Sequence, residues 1–255
     1  MPISSATREF AEAPGAYLAL PGARDVDDAR FFVSVSDNRR WVNVCRLDVE
    51  ADEVPSVVRD VHAIEPGASF GWVLAEPAAE VVAALREAGC RDPDPPLEPA
   101  FTSLATEREP PAADGVEVRR IETFEEHLTG LEIMLASAGW TEEGAARQRA
   151  EAAESYERRR TRPGGEWLVF LDGRAVAWAG AVAGPRGLHL SGGATLPEAR
   201  GRGCYRALIR ARWDEAVRRG TPALVVHAQE TSRPILERCG FERVCTMVEL
   251  ASGAP

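Results

Sequence analysis

The stretch Leu188-His-Leu-Ser-Gly-Gly-Ala-Thr195, followed at Arg200-Gly-Arg-Gly-Cys-Tyr205 by a glycine-rich turn, decides how the rest of the chain reads. The first part is an apolar, strand-like run. After the turn, Leu208, Ile209, Trp213 and Val217 fall on one face of a helical pattern. A strand that enters a helix through such a turn aims several unpaired backbone N–H groups, and the positive end of the helix dipole, at one point. An anion belongs there. Gly201 and Gly203 let a ligand approach the backbone closely, while Arg200, Arg202 and Arg206 add charge suited to phosphate oxygens. The turn therefore predicts a pyrophosphate cradle.

Upstream of the cradle, Val116 to Ile121 reads as a strand and Phe124 to Ser137 as a helix. Thr141 caps a polar helix running to about Arg160. Trp167 to Leu171 and Ala175 to Val182 flank Asp172-Gly173, a strong hairpin signal. Downstream, the cradle helix stops at Gly220, Ala223 to Ala228 is a strand, Ser232 to Arg238 a short helix, and Val244 to Leu250 a final strand.

The first hundred residues carry the same order of elements. Met1 to Asp28, with Pro14, Gly15, Pro21 and Gly22, reads as an irregular lead-in. Arg30 to Ser36 and Trp41 to Leu47 form a hairpin. A helix capped by Asp52 ends near Ile64, Phe70 to Leu74 is a strand, a second helix opens at Pro77, and Phe101 to Ala105 closes the half. Leu85 stands four residues before Gly89, as Leu236 does before Gly240, so the two halves fit an internal duplication. Where the second half has its cradle, however, the first has Asp48-Val-Glu-Ala-Asp-Glu53, with four carboxylates and no glycine, which would repel a pyrophosphate. Proline-rich segments at Asp92–Pro99 and Glu107–Gly115 place the boundary in the second of them, giving domains 1–108 and 109–255.

At 255 residues and 45% hydrophobic content the chain can fill two cores. The 40 acidic side chains outnumber the 30 arginines, and lysine is absent, so a general nucleic-acid binder is not expected. The excess is uneven, about −9 over residues 1 to 105 and about −1 over the rest, which leaves the arginine-rich turn in the less repulsive half. No run is long and apolar enough for a membrane span, and the N-terminus does not read as a signal peptide, so a cytoplasmic location is expected. Five cysteines without a Cys-x-x-Cys pair indicate neither a disulfide framework nor a metal site. Cys204, in the cradle, reads better as a small residue packed under the turn than as a nucleophile, with no histidine near it in sequence.

From about Val116 to Leu250 the chain resembles the GNAT superfamily of acyl-CoA-dependent N-acetyltransferases. Arg200, Gly203 and Tyr205 fall in register with that family's Arg/Gln-x-x-Gly-x-Gly/Ala turn, and Gly240-Phe241 after a short helix resembles its ending. The resemblance implies an α/β fold with a mixed sheet, built as two GNAT-like domains of which the N-terminal one is shortened and lacks the cofactor motif. It implies that acetyl-CoA is the cosubstrate, that the backbone of Arg200, Gly201, Arg202, Gly203, Cys204 and Tyr205 binds the CoA pyrophosphate, and that Ala194, Thr195 and Leu196 pair with pantetheine. Two departures stand out. Tyr205 replaces a small residue, and Leu236 occupies the position where many members carry a tyrosine that protonates the leaving thiolate.

The expected reaction is transfer of acetyl to a primary amine of a small molecule by direct attack. The alternative is a catalytically silent acyl-CoA-binding or regulatory protein, and protein amines are a third acceptor class. Proton-transfer candidates are His189 and His227, on strands flanking the expected cleft, and Glu230 at a strand end. Trp140 and Glu142 lie where relatives line the acceptor site. Which amine, which acyl chain and which oligomeric state are not legible.

Overall fold

The computed structural model describes residues 2–18, 20–94, 99–113, 115–137 and 139–253. Part of the acidic proline-rich segment, residues 95–98, and Asp114 in the second such segment lie outside them.

Among the described residues eleven strands form one mixed sheet. The first half supplies β1 (Arg24–Asp27), β2 (Phe31–Val35), β3 (Trp41–Leu47), α2 (Val54–Ile64), β4 (Ser69–Ala75), α3 (Ala79–Glu87) and β5 (Ala100–Thr106). The second supplies β6 (Glu117–Arg120), α4 (Phe124–Ser137), α5 (Glu142–Ala150), α6 (Ala152–Thr161), β7 (Gly164–Leu171), β8 (Arg174–Gly184), β9 (Gly187–Thr195), α7 (Cys204–Arg218), β10 (Leu224–Ala228), α8 (Arg233–Arg238) and β11 (Glu242–Gly253). The run β2, β3, α2, β4, α3, β5 repeats as β8, β9, α7, β10, α8, β11. In both, the strands on either side of the first helix pair in parallel. Asp172 and Gly173, at φ 50° and 77°, make the two-residue turn that their sequence predicts.

The strand order β1-β2-β3-β4-β11-β5-β10-β9-β8-β7-β6 shows how the halves are joined. The last strand of the first half, β5, lies beside β10, and the last strand of the second, β11, lies beside β4. The two exchanged strands meet each other antiparallel at the centre of the sheet. Their side chains go with them: Leu104 of β5 is buried in the core of the second half, and Leu250 of β11 in that of the first. The matching helix ends are also seen. Leu85 and Leu236 are fully buried, and their carbonyls accept from Cys90 and Phe241 at 2.9 and 3.2 Å across Gly89 and Gly240, whose φ values are 96° and 92°.

Three expectations need correction. The lead-in is ordered: Ser5–Glu12 forms α1, Pro14–Ala16 a 3-10 turn and residues 24–27 an edge strand. The hydroxyl of Ser4 accepts from the Thr7 amide, the Ser4 and Thr7 hydroxyls each donate to Glu107 at 2.5 Å, and Phe10 is fully buried over β5 and β10. The signal was the Ser-x-x-Thr start ahead of Phe10-Ala11, which the glycines and prolines around it obscured. Second, α2 starts at Val54 with Glu53 at its N-cap and no side-chain cap, rather than being capped by Asp52. Third, the polar helix expected from Thr141 to Arg160 is two helices, α5 and α6, separated at Glu151, although Thr141 caps α5 as anticipated by accepting from the Gly144 amide at 3.1 Å.

Burial on β11 pushes the Glu249 carboxyl up to about 7. Between pH 4.5 and 7 the folded chain therefore holds a proton that the unfolded chain has released, so this group's contribution to stability falls as pH rises through 7. Glu249→Gln is expected to leave stability unchanged near pH 5 and to raise it by about 1–2 kcal/mol at pH 8. Urea denaturation at both pH values checks this, and an equal effect at both would refute the burial argument.

Candidate functional site

Strands β9 and β10 pair only at Leu188 with Leu224 and His189 with Val225, and then part. The gap between them opens into a cleft of about 970 Å³. Its walls are Gly193, Ala194 and Thr195 of β9, the turn and first residues of α7, and Gln229, Thr231, Ser232, Ile235 and Arg238 after β10. Ser137, the last residue of α4, and Gly139 just beyond it also line the cleft.

The turn has the geometry expected of an anion cradle. Gly201 and Gly203 sit at φ 77° and 83°, and Gly203 is the N-cap of α7 with no side chain capping the helix. A Cβ on Gly203 would meet only Arg206 Nη2, at 3.7 Å, so the space over the helix start is open. Arg200, Arg206 and Arg238 reach the cleft, and among the described residues their guanidinium groups have no hydrogen bond or ion pair. Three uncompensated guanidinium groups concentrate positive charge at this cleft in a chain of net charge −10. Arg202 lies outside the lining, 3.8 Å from Asp172. Leu196 also lies outside it, packed with Ile133, Leu168 and Trp178. Burial pushes the Cys204 thiol up, and its Sγ lies 3.8 Å from the Ala199 carbonyl oxygen, as for a residue packed beneath the turn.

Tyr205 fits because position 193 is glycine: a Cβ there would come within 2.9 Å of Tyr205 Cε2. Gly192 and Gly193 also lie where the β8–β9 register shifts, between the pairs Trp178–Ala194 and Gly180–Ser191, and Gly192 is at φ 69°. This is a β-bulge in the cleft wall. Adjacent glycines within a strand pattern were the available signal. Leu236, at the position that the resemblance assigns to a tyrosine acid, is fully buried in the core of the second half.

The proton-transfer candidates do not converge. His189 and His227 stack edge-on at 5.2 Å between ring centroids, outside the cleft lining, and the Nε2 of each is buried without a partner among the described residues. Burial pulls His189 down to about 3, aided by His227, and pulls His227 down to about 4 against a hydrogen bond to the Ala11 backbone. Both are uncharged at neutral pH and weak as bases. Glu230 is exposed between the lining residues Gln229 and Thr231 and pairs with Arg233 at 2.7 Å. Trp140 packs with Leu131, Leu135 and Ala152 and leaves its indole nitrogen without a partner among the described residues, while Glu142 is exposed in the first turn of α5.

Sequence reasoning missed one buried polar cluster. Glu166 of β7 holds His127 Nδ1 at 2.8 Å, Arg159 at 3.1 Å and the Trp178 indole N–H at 3.0 Å. Its four members come from α4, α6, β7 and β8, and no local spacing joins them. Among the described residues no group of metal-ligating side chains comes together, and no helix is long and apolar enough to cross a membrane.

Residues 132–241 match the model of the acetyltransferase (GNAT) family. No curated protein matches the sequence. Among solved structures, the chain resembles a GCN5-related N-acetyltransferase from Kribbella flavida, with TM-score 0.65 and 20% identity over 100% of this chain and 98% of that one. It resembles a conserved protein of unknown function from Staphylococcus epidermidis ATCC 12228, with TM-score 0.68 and 10% identity over 95% and 97%. A third likeness is to a tandem GNAT protein from the clavulanic acid biosynthesis pathway, with TM-score 0.53 and 13% identity over 98% and 88%. These structural likenesses concern the fold.

Proposed function

The second half carries a GNAT-family acetyltransferase domain, and from that premise we propose that the protein transfers acetyl from acetyl-CoA to a primary amine of a small molecule. The observation that carries this reading is the uncapped start of α7, with its open glycine turn and three unpaired arginines, at the mouth of a cleft between parting strands. These residues fit a pyrophosphate. The amides of the first turn of α7, with Arg200 and Arg206, hold it. The β9 wall from Gly193 to Thr195 lies along the pantetheine arm, with a backbone N–H as donor to the thioester carbonyl.

The amine enters past Ser137 and Gly139. Its neutral nitrogen forms a bond to the carbonyl carbon, the carbon–sulfur bond breaks, the nitrogen gives up a proton and the thiolate gains one. Among the three residues proposed for proton transfer, the exposed Glu230 carboxylate between two lining residues is the one best supported as acceptor of the amine's proton. Glu230→Gln is expected to lower kcat about 10- to 100-fold with acetyl-CoA affinity unchanged. A kcat within twofold of the unaltered protein removes Glu230 from that role.

One observation favours the second reading, a silent acyl-CoA-binding protein: Leu236 offers no proton and is fully buried. Thiol release across a panel of amines, run beside calorimetry with acetyl-CoA, separates the two. Binding with acceptor-dependent release supports the enzyme, and binding without release for any amine supports the silent protein.

A further inference from the structure

Arg212 lies in the middle of α7 and is fully buried. No carboxylate pairs with it among the described residues. Its Nε donates to the Leu208 carbonyl one turn back at 2.9 Å. Its Nη1 donates to Gly180 O of β8 at 3.3 Å and to Gly192 O of β9 at 3.4 Å, long bonds that reach one carbonyl on each strand across the bulge. Nη2 has no partner among the described residues, and the Tyr205 phenol, packed on Gly193, lies beside the guanidinium. Burying a guanidinium without a counter-charge is costly, and an aliphatic side chain would fill this part of the core at no such cost. The position therefore carries a task other than packing.

The task follows from peptide geometry. Gly192 C=O and Gly193 N–H belong to one planar trans peptide and point in opposite directions. With the carbonyl held on the α7 side, the Gly193 N–H faces the α4 side, where Ser137 and Gly139 bound the cleft. A charge-assisted bond to the carbonyl also strengthens the N–H of the same amide as a donor.

We propose that Arg212 is a positioning residue that fixes and polarises the Gly192–Gly193 peptide, so that the Gly193 N–H donates to the acyl carbonyl oxygen in the cleft. This rests on the acetyl-CoA reading above. Tyr205 closes the brace by covering Gly193 from the α7 side. The inference assigns the carbonyl donor to Gly193, one residue before the strand end at Ala194 to Leu196.

The test compares acetyl-CoA with S-ethyl-CoA, a thioether that has the same chain and no carbonyl, by calorimetry on the full-length protein. The unaltered protein is expected to bind acetyl-CoA about 5- to 20-fold more tightly, the range one hydrogen bond supplies. Arg212→Met is expected to bring the two affinities within about twofold, almost all of the loss falling on acetyl-CoA, and Arg212→Lys to restore part of the difference. A brace that serves only the fold would weaken both ligands in parallel, and a preserved ratio in Arg212→Met overturns the proposal. So does an unaltered protein with no preference. Binding of neither ligand by the unaltered protein overturns the acetyl-CoA reading and this inference with it, an outcome distinct from binding without preference. Should Arg212→Met not fold, the Gly193 amide proton of the unaltered protein decides: a downfield NMR shift with acetyl-CoA and none with S-ethyl-CoA is expected, and equal responses overturn the proposal.

Discussion

Gly203→Glu is expected to weaken acetyl-CoA binding by at least about 100-fold while the protein stays folded. Gly203 is the N-cap of α7 at φ 83°, with nothing but the tip of Arg206 near the space that its missing side chain leaves. A side chain there costs roughly 1–2 kcal/mol of backbone strain. It also brings a carboxylate to the open helix amides and to Arg200, Arg206 and Arg238, where it competes as a tethered anion. A hundredfold loss corresponds to about 2.7 kcal/mol, well within what a misplaced charge and a blocked cradle supply. Gly220, at the far end of the same helix, is the control: it sits at φ 77° with open space around it, so Gly220→Glu carries a similar strain away from the cleft. Calorimetry with acetyl-CoA should find Gly220→Glu indistinguishable from the unaltered protein. Undiminished affinity in Gly203→Glu would remove the cradle from the site.

Loss of the Glu166 carboxylate should be the most damaging of these changes to the fold. Glu166 is 7% exposed and satisfies His127, Arg159 and the Trp178 indole at once. Burial alone would push this carboxyl up; the His127 hydrogen bond, the Arg159 charge and the Trp178 N–H outweigh it and hold the group below its usual range. Glu166→Ala leaves His127 and the Trp178 indole buried and without this acceptor, and Arg159 without its carboxylate, a loss of about 3–5 kcal/mol, and should lower the melting temperature by roughly 10 °C. Because the folded group titrates below the unfolded one, its contribution is complete above pH 4.5 and disappears as pH falls through the folded value. The difference between the two proteins should therefore shrink in acid. A melting temperature within 2 °C of the unaltered protein at pH 7 would contradict this account.

What could be read from the chain was whatever physics makes local. Periodicity and turn chemistry located the paired elements of both halves, because hydrophobic spacing and residues such as Asp172-Gly173 act over a few positions. The glycine turn and the helix start after it were legible for the same reason, being consecutive in the chain. The Glu166 cluster was not, since its members meet only when α4 and α6 pack on β7 and β8. Arg212 was hidden differently. An arginine in a helix reads as a solvated side chain, and only the sheet beneath shows that this one is buried against two strand carbonyls. The ordered N-terminal segment was lost among residues that break regular structure, although Glu107, a hundred residues away, ties its helix down.

The exchanged strands set the order in which the sheet can be completed during synthesis. β4 and β5 are finished early, yet both border β11, which leaves the ribosome after every other strand of the sheet. Until it does, the first half holds open strand edges and a core that still lacks Leu250. The half that is made first is therefore the half that closes last, and a chain without β11 would lose the middle of its sheet rather than one end of it.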